Sequence, residues 1–278
     1  MNSLFSFWKM AGGGNDFIML DGVSQNLPEL EPERIRRLCS RGMSIGADGL
    51  IALVPTDRAS VRMLHWNADG GANDFCGNGA RCAARLAREA GLCGAALTLE
   101  TGAGVLKAEI LERGTVRVQM PAPRDLARGL RLPLPHREVE ADFVRIGVPH
   151  IVTEVVDLGS PGLLSEGAGL RRHPALGPEG ANVNFVRRLA DGTVEIRTYE
   201  RGVEGETLSC GSGAAAAAFW LRLRTGGEEP VVLRTRSGII LTIRMRRGEF
   251  LEDFWLEGDA RIIYKGAATD EAERGFPG

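Results

Sequence analysis

Apolar and polar positions alternate most strictly in two stretches, Val61-Arg-Met-Leu-His-Trp-Asn67 and Val194-Glu-Ile-Arg-Thr-Tyr-Glu200. A period of two marks a strand with one face buried, so both are expected to be strands. Shorter strand signals fall at Leu50–Val54, Thr115–Met120, Phe143–Ile146, Ile151–Val156, Val231–Arg234, Ile239–Met245 and Phe250–Leu256. Two helices are expected, each just after a cysteine. In the first, Ala83, Leu86, Ala87 and Ala90 keep helical spacing, Arg81, Arg85 and Arg88 lie on another face, and Gly91 stops it. The second, after Cys210, is apolar nearly all round until Arg222 and must be buried; Gly226-Gly227 ends it. Pro121-Ala-Pro123 and Leu132-Pro-Leu-Pro135 bracket a crossing between domains. Leu158 to Ala181, rich in Gly and Pro, reads as a surface loop with a little helix, and the polar tail from Ala267 reads as frayed.

The order strand, turn, Cys-Gly-x-Gly, Ala-rich helix occurs twice. Cys76-Gly-Asn-Gly-Ala-Arg-Cys-Ala-Ala84 follows the first alternating strand, and Cys210-Gly-Ser-Gly-Ala-Ala-Ala-Ala-Ala218 follows the second. Upstream, Gly14-Asn-Asp-Phe17 is echoed by Asn182-Val-Asn-Phe185. Two copies indicate a duplicated domain, not a solenoid. The expected domains are 1–120, to which a strand from about 257–278 returns, and 121–256. Asn67 to Cys76 is one residue shorter than Glu200 to Cys210, so a bulge or longer turn is expected before the second helix.

Charge narrows the function. Lys and Arg number 34 against 36 Asp and Glu, a net charge of -2, which supplies no bulk attraction to nucleic acid or anionic membrane. The longest apolar run, Ala214 to Leu221, is far short of a bilayer span. The apolar Leu4-Phe5-Ser6-Phe7-Trp8 has neither a basic region before it nor a cleavage site after it, so no signal peptide is expected and the protein reads as soluble and cytoplasmic. Five cysteines without a CxxC pair do not make a disulfide scaffold, and Cys and His do not cluster at zinc-ligand spacing. Gly12-Gly13-Gly14 lacks the dinucleotide spacing, and Gly77-Asn-Gly-Ala-Arg lacks the Lys-Ser/Thr of a phosphate loop. Cys39, Cys82 and Cys93 read as packing residues.

Cys76 and Cys210 are different. A thiol opening a helix sits where unpaired backbone N–H groups and the macrodipole favour negative charge, which lowers a thiol pKa. The following glycines let a ligand approach the backbone, and the same N–H groups can bind a carboxylate. Two such motifs suit inversion of a carbon stereocentre, one sulfur removing an α-proton as thiolate and the other delivering one as thiol. The α-carboxylate at the helix N-termini would take up charge developing in a carbanion-like transition state.

Further stretches accompany the two motifs in order: Gly14-Asn15-Asp16-Phe17, Gly46-Ala47-Asp48-Gly49, Asn67-Ala68-Asp69-Gly70, Pro149-His150, Asn182 to Phe185, Glu200-Arg201-Gly202 and Gly205-Glu206-Thr207. In these the chain resembles, over essentially its whole length, the diaminopimelate epimerases, PLP-independent amino-acid epimerases. The resemblance implies an α/β (α+β) fold of two similar pseudo-symmetric domains, each a curved, mostly antiparallel sheet wrapped around a central helix. It implies Cys76 and Cys210 as the acid/base pair, with Gly77, Asn78, Gly211 and Ser212 around the reacting α-carboxylate. Asn15, Asn67, Asn182 and Arg201 would hold the distal end of the substrate, and His150 and Glu200 would tune the cysteines and the reacting amino group. No cofactor, metal, nucleic acid or membrane is implied; the partner is the small molecule diaminopimelate, the assembly a homodimer, and the pathway lysine and peptidoglycan precursor synthesis. The chain departs from the family at Gly49, often Gln there, and at Val148, often Asn.

Each residue also has a plainer reading. His150 can be a hydrogen-bonded structural histidine, Asn15 and Asn67 can serve turns, and Arg201 and Glu200 can be solvated. Trp66 and Tyr199 read as strand aromatics that pack. Three rival functions stay open: a racemase of another amino acid, of histidine or proline type; a cysteine hydrolase with His150 as base, which leaves one cysteine motif idle; and a carboxylate-binding module.

Overall fold

The structure, a computed structural model, describes residues 3–227, 230–247 and 251–274. Phe250, the first residue of one expected strand, and residues 275–278 of the polar tail lie outside the described residues. The chain divides into two units, Met1–Val118 with Gly258–Gly278, and Gln119–Glu257.

The first unit holds strands β1 (Ser3–Gly12), β2 (Asn15–Asp21), β3 (Gly49–Val54), β4 (Val61–Asn67), β5 (Ala96–Thr101), β6 (Gly104–Ile110) and β7 (Thr115–Gln119), with the last strand of the chain, β17 (Arg261–Thr269). They pair in the order β17-β1-β2-β3-β4-β5-β6-β7. The β2–β3 and β4–β5 pairs are parallel and the rest antiparallel. Helix α1 (Pro32–Cys39) covers one face with Ile35 and Leu38 against Ile18, Leu20, Leu50 and Ala52. Helix α2 (Gly77–Glu89) takes the other face and touches all six strands from β1 to β6, so the sheet wraps around it.

The second unit holds β8 (Arg124–Pro133), β9 (Glu138–Ile146), β10 (Val148–Glu154), β11 (Asn182–Arg188), β12 (Val194–Glu200), β13 (Gly205–Thr207), β14 (Val231–Arg234), β15 (Ile240–Arg247) and β16 (Leu251–Asp259). The order is β8-β9-β10-β11-β12-β14-β15-β16, with β10–β11 and β12–β14 parallel and the rest antiparallel. Helix α3 (Leu163–Arg171) lies against β11 and β12, and helix α4 (Gly211–Thr225) touches β9 to β12, β14 and β15. Strand by strand, the sequence of parallel and antiparallel pairs is the same in both units. The duplication is therefore one of fold, and β17 does for the first sheet what β8 does for the second.

Small side chains permit this wrapping. Ala80, Ala83, Ala84 and Ala87 in α2 and Ala214 to Ala218 in α4 are fully buried, and their small side chains let the enclosing strands approach the helix closely at those positions. Several expectations need correction. Arg81, expected on a polar face, has no exposed surface, since a helix enclosed on most sides has no solvent face near its N-terminus. The upstream echo does not pair equivalent positions: Asn15–Phe17 begin β2, while Asn182–Phe185 begin β11, the counterpart of β3. Leu132-Pro-Leu-Pro135 lies where β8 turns into β9, within the second unit. The longer Glu200–Cys210 connection contains β13, which folds back on β12, where the first unit has one isolated Trp66–Ala72 bridge.

Candidate active site

In the first unit Cys76 is the N-cap of α2. Its extended backbone (φ -140, ψ 114) aims Sγ at the Gly79 N–H, which it accepts at 3.4 Å. The N–H groups of Gly77 and Asn78, in the first turn, have no intrahelical acceptor. The Asn78 side chain donates from Nδ2 to Asn15 Oδ1 at 2.8 Å, and Asn15 donates to Asp48 Oδ2 at 3.1 Å. Arg81 holds Asn78 from beneath, donating to its Oδ1 at 2.8 Å and to the carbonyls of Gly77 and Asp259, both at 3.2 Å. Burial pushes the Arg81 guanidinium pKa down, and its field acts on the Cys76 sulfur. Arg41 bridges Asp16 and Asp48, and Lys9 pairs with Asp16 at 2.7 Å. Desolvation would raise the Asp16 pKa, but the Arg41 and Lys9 hydrogen bonds win and lower it. Asn67, exposed at the end of β4, accepts from Asn73 Nδ2 at 3.1 Å and pairs across the ladder with Gly49.

The second unit repeats the arrangement. Cys210 is the N-cap of α4 (φ -127, ψ 113), its Sγ 3.4 Å from the Gly213 N–H and 3.5 Å from Ser212 Oγ. Gly211 and Ser212 open the helix as Gly77 and Asn78 do in the first unit. His150 on β10 is fully buried, and its strand runs parallel to β11 with Asn182 in register. Burial, aided by the Arg201 charge, pushes its pKa down to about 3, so His150 is neutral. Glu200 ends β12; burial raises its carboxyl pKa, against a 2.7 Å hydrogen bond from Thr207 Oγ1. Asn182 donates to Pro149 O at 3.2 Å and accepts the Arg201 N–H at 2.8 Å, so much of its amide is committed to backbone. The Arg201 guanidinium is paired with Glu179 at 2.7 Å, and Arg145 holds the same carboxylate at 3.1 Å. Hydrogen bonds from Arg145 and Arg201 lower the Glu179 pKa.

Thus Cys76, Gly77, Asn78 and Asn15 are brought together in one unit, with Asn67 tied to Asn73. In the other unit one cluster forms at the start of α4, with Cys210, Gly211 and Ser212, and a chain of neighbours runs Pro149-His150, Asn182, Arg201. Sequence reasoning missed Asp48 and Arg81 on the first side and Asn184, Thr207 and Glu179 on the second. Asn184 carried a signal: an Asn in mid-strand, on the same face as Asn182, has to find partners inside. The salt bridges of Glu179 and the backing of Asn78 by Arg81 had no local signature. Among the described residues no group of three or more His, Cys, Asp or Glu side chains converges as a metal site would. The five cysteines are not joined by disulfides. In chemical terms, each unit offers a sulfur seated at a helix N-terminus, next to donors suited to a carboxylate.

A family model described as Diaminopimelate epimerase matches residues 7–125 and 143–251. A diaminopimelate epimerase of Aquifex aeolicus is 38% identical over 276 residues, covering 95% of this chain and 98% of that protein. Another, from Methanothrix thermoacetophila, is 39% identical over 283 residues, covering 98% of both. Among solved structures, a hydroxyproline epimerase from Agrobacterium vitis with bound trans-4-OH-L-proline matches with a TM-score of 0.72 at 19% identity, covering 96% of this chain and 92% of that one. A PhzF-family phenazine biosynthesis protein of Bacillus anthracis matches with a TM-score of 0.72 at 17% identity, covering 97% of this chain and all of that one. At these identities the likeness to the solved structures is one of fold.

Proposed function

The chain belongs to the diaminopimelate epimerase family, and on that footing we propose that Cys76 and Cys210 are the acid and base of its reaction. The enzyme is an isomerase that interconverts LL- and meso-2,6-diaminopimelate, a step of lysine biosynthesis. One sulfur removes the α-proton as thiolate and the other returns a proton to the opposite face as thiol, the roles exchanging with direction.

The observation that carries this reading is the duplicated cap. Two sulfurs occupy equivalent places in two like sheets, each accepting a backbone N–H at 3.4 Å. A helix N-terminus stabilises the thiolate that takes the proton. The adjacent N–H groups of Gly77, Asn78, Gly211 and Ser212 receive the α-carboxylate, where negative charge grows as the proton leaves. Asn15, Asn67, Asn182 and Arg201 hold the distal ammonium and carboxylate, and Glu200 with His150 orients the reacting amino group. The two domains, 1–120 with a strand returning from about 257–278 and 121–256, bring one thiol each. The reading extends to a cytoplasmic homodimer feeding peptidoglycan precursors, supported by family membership alone. No helix among the described residues is long and apolar enough to cross a membrane.

The test follows α-proton exchange and epimer ratio of diaminopimelate in deuterated water. Cys76→Ser and Cys210→Ser should each lose epimerisation by at least about 100-fold. Near-full epimerisation by either variant overturns the two-thiol assignment. A second reading, a racemase of another amino acid, is favoured by one observation: Gly49 and Val148 offer no polar side chain. Faster exchange on proline or histidine than on diaminopimelate, in the same assay, would establish it.

A further inference from the structure

The two units share a fold but not the polar contents of their sheets. Register makes Ile51 on β3 the counterpart of Asn184 on β11, and Phe17 on β2 the counterpart of His150 on β10. Likewise His65, opposite Ile51, corresponds to Thr198, opposite Asn184. The fold therefore stands in one unit with an apolar pair where the other buries an amide and an imidazole. Asn184 and His150 are both fully buried.

The hydrogen bonds around Asn184 leave its amide one orientation. Nδ2 lies 3.0 Å from Ile151 O, and a carbonyl oxygen can only accept, so the NH2 must be on that side. Oδ1 then accepts the Thr198 hydroxyl at 3.0 Å. The second hydrogen of Nδ2 points at His150 Nδ1, 3.2 Å away. A nitrogen that receives a donor must present a lone pair, so the imidazole proton is on the other nitrogen. That nitrogen, Nε2, is buried with no partner among the described residues. A buried polar group left without a protein partner calls for an explanation, and the acceptor of a bound ligand is one that fits. The α4 motif makes room for this device: a Cβ on Gly213 would lie 2.3 Å from Asn184 Oδ1.

We infer that Asn184, anchored by Thr198 and Ile151, is a positioning residue that fixes the His150 proton on Nε2, so that His150 serves the reaction solely as a hydrogen-bond donor. The acceptor is a substrate group with a lone pair or negative charge, the reacting amino group or the α-carboxylate. His150 is thereby excluded as a base, and the proton transfers are left to the thiols. The role in the reaction rests on the function proposed above, whereas the tautomer can be read without any turnover.

The experiment is nitrogen NMR of the full-length protein labelled with 15N in its histidine rings. There are four histidines, and His150→Gln identifies the signals of interest. The expected spectrum has a pyridine-type Nδ1 and a pyrrole-type Nε2 for His150, unchanged between about pH 6 and pH 8. Asn184→Asp replaces the donor by an acceptor; the proton should move to Nδ1, and kcat/KM should fall by about tenfold to about 10⁴-fold, mainly through kcat, the upper figure being the cost of a wrong imidazole tautomer in a serine protease. Asn184→Ala, which removes the donor without adding a charge, is the second variant should the first not fold; it should mix the two tautomers, and a spectrum left with the proton on Nε2 alone overturns the inference. A parent spectrum with the proton on Nδ1, or titration of His150 within that pH range, overturns the inference. So does a switched tautomer with kcat/KM within twofold of the parent. Failure of the thiol assignment would show instead in the cysteine variants, with the His150 spectrum unaltered.

Discussion

Stability should fall steeply on mild acidification, because each unit buries one neutral histidine. Burial pushes the His65 pKa from 6.5 to about 4, and burial with the Arg201 charge pushes His150 from 6.5 to about 3. Both folded values lie below the unfolded one, so below pH 6.5 the unfolded chain takes up protons that the folded chain refuses. The associated stability is present above pH 6.5 and is lost as pH falls from there toward the folded values. Integrating between about pH 7.5 and pH 5, each histidine removes about 2 kcal/mol, and the pair about 4 kcal/mol. At a typical urea slope, each histidine moves the unfolding midpoint by about 1 M. The assay is urea unfolding at the two pH values for the parent, His65→Gln, His150→Gln and the double variant. Each single change should remove about half of the excess loss. If the two units unfold in separate transitions, His65 should act on one and His150 on the other. A double variant that loses as much stability at about pH 5 as the parent does would refute the reasoning.

Two further outcomes follow from burial. Cys39 and Cys82, whose thiols burial pushes up to about 12, should resist iodoacetamide in the native protein at about pH 8, while all five cysteines react in denaturant; peptide mapping by mass spectrometry reads this directly. Arg81→Met should cost about 2–4 kcal/mol in urea unfolding, since it strips the donor from Asn78 Oδ1 and Asp259 O, partly offset by no longer burying a charge. The same variant should slow alkylation of Cys76 relative to Cys210, whose helix has Ala215 at the matching position.

Much of this protein is written in short-range patterns. Alternation over Val61–Asn67 and Val194–Glu200 marks strands because side chains on a pleated backbone alternate between faces. Cys-Gly-x-Gly before an alanine run marks a capped helix with a sulfur at its positive end, whatever surrounds it. Both depend on neighbours a few residues apart, so the two cysteines and the duplication were legible along the chain. Other features depend on segments far apart in sequence. The pairing of β1 with β17 joins the two ends of the described chain, and no local pattern states which strand completes a sheet. Arg81 reads as a solvated helix residue until six strands close around α2. The His150–Asn184 contact spans 34 positions and arises only when β10 and β11 lie parallel in one register. A proton's place on an imidazole ring is decided by what faces it in space, and those partners come from non-local pairing, which the local grammar of the chain leaves open.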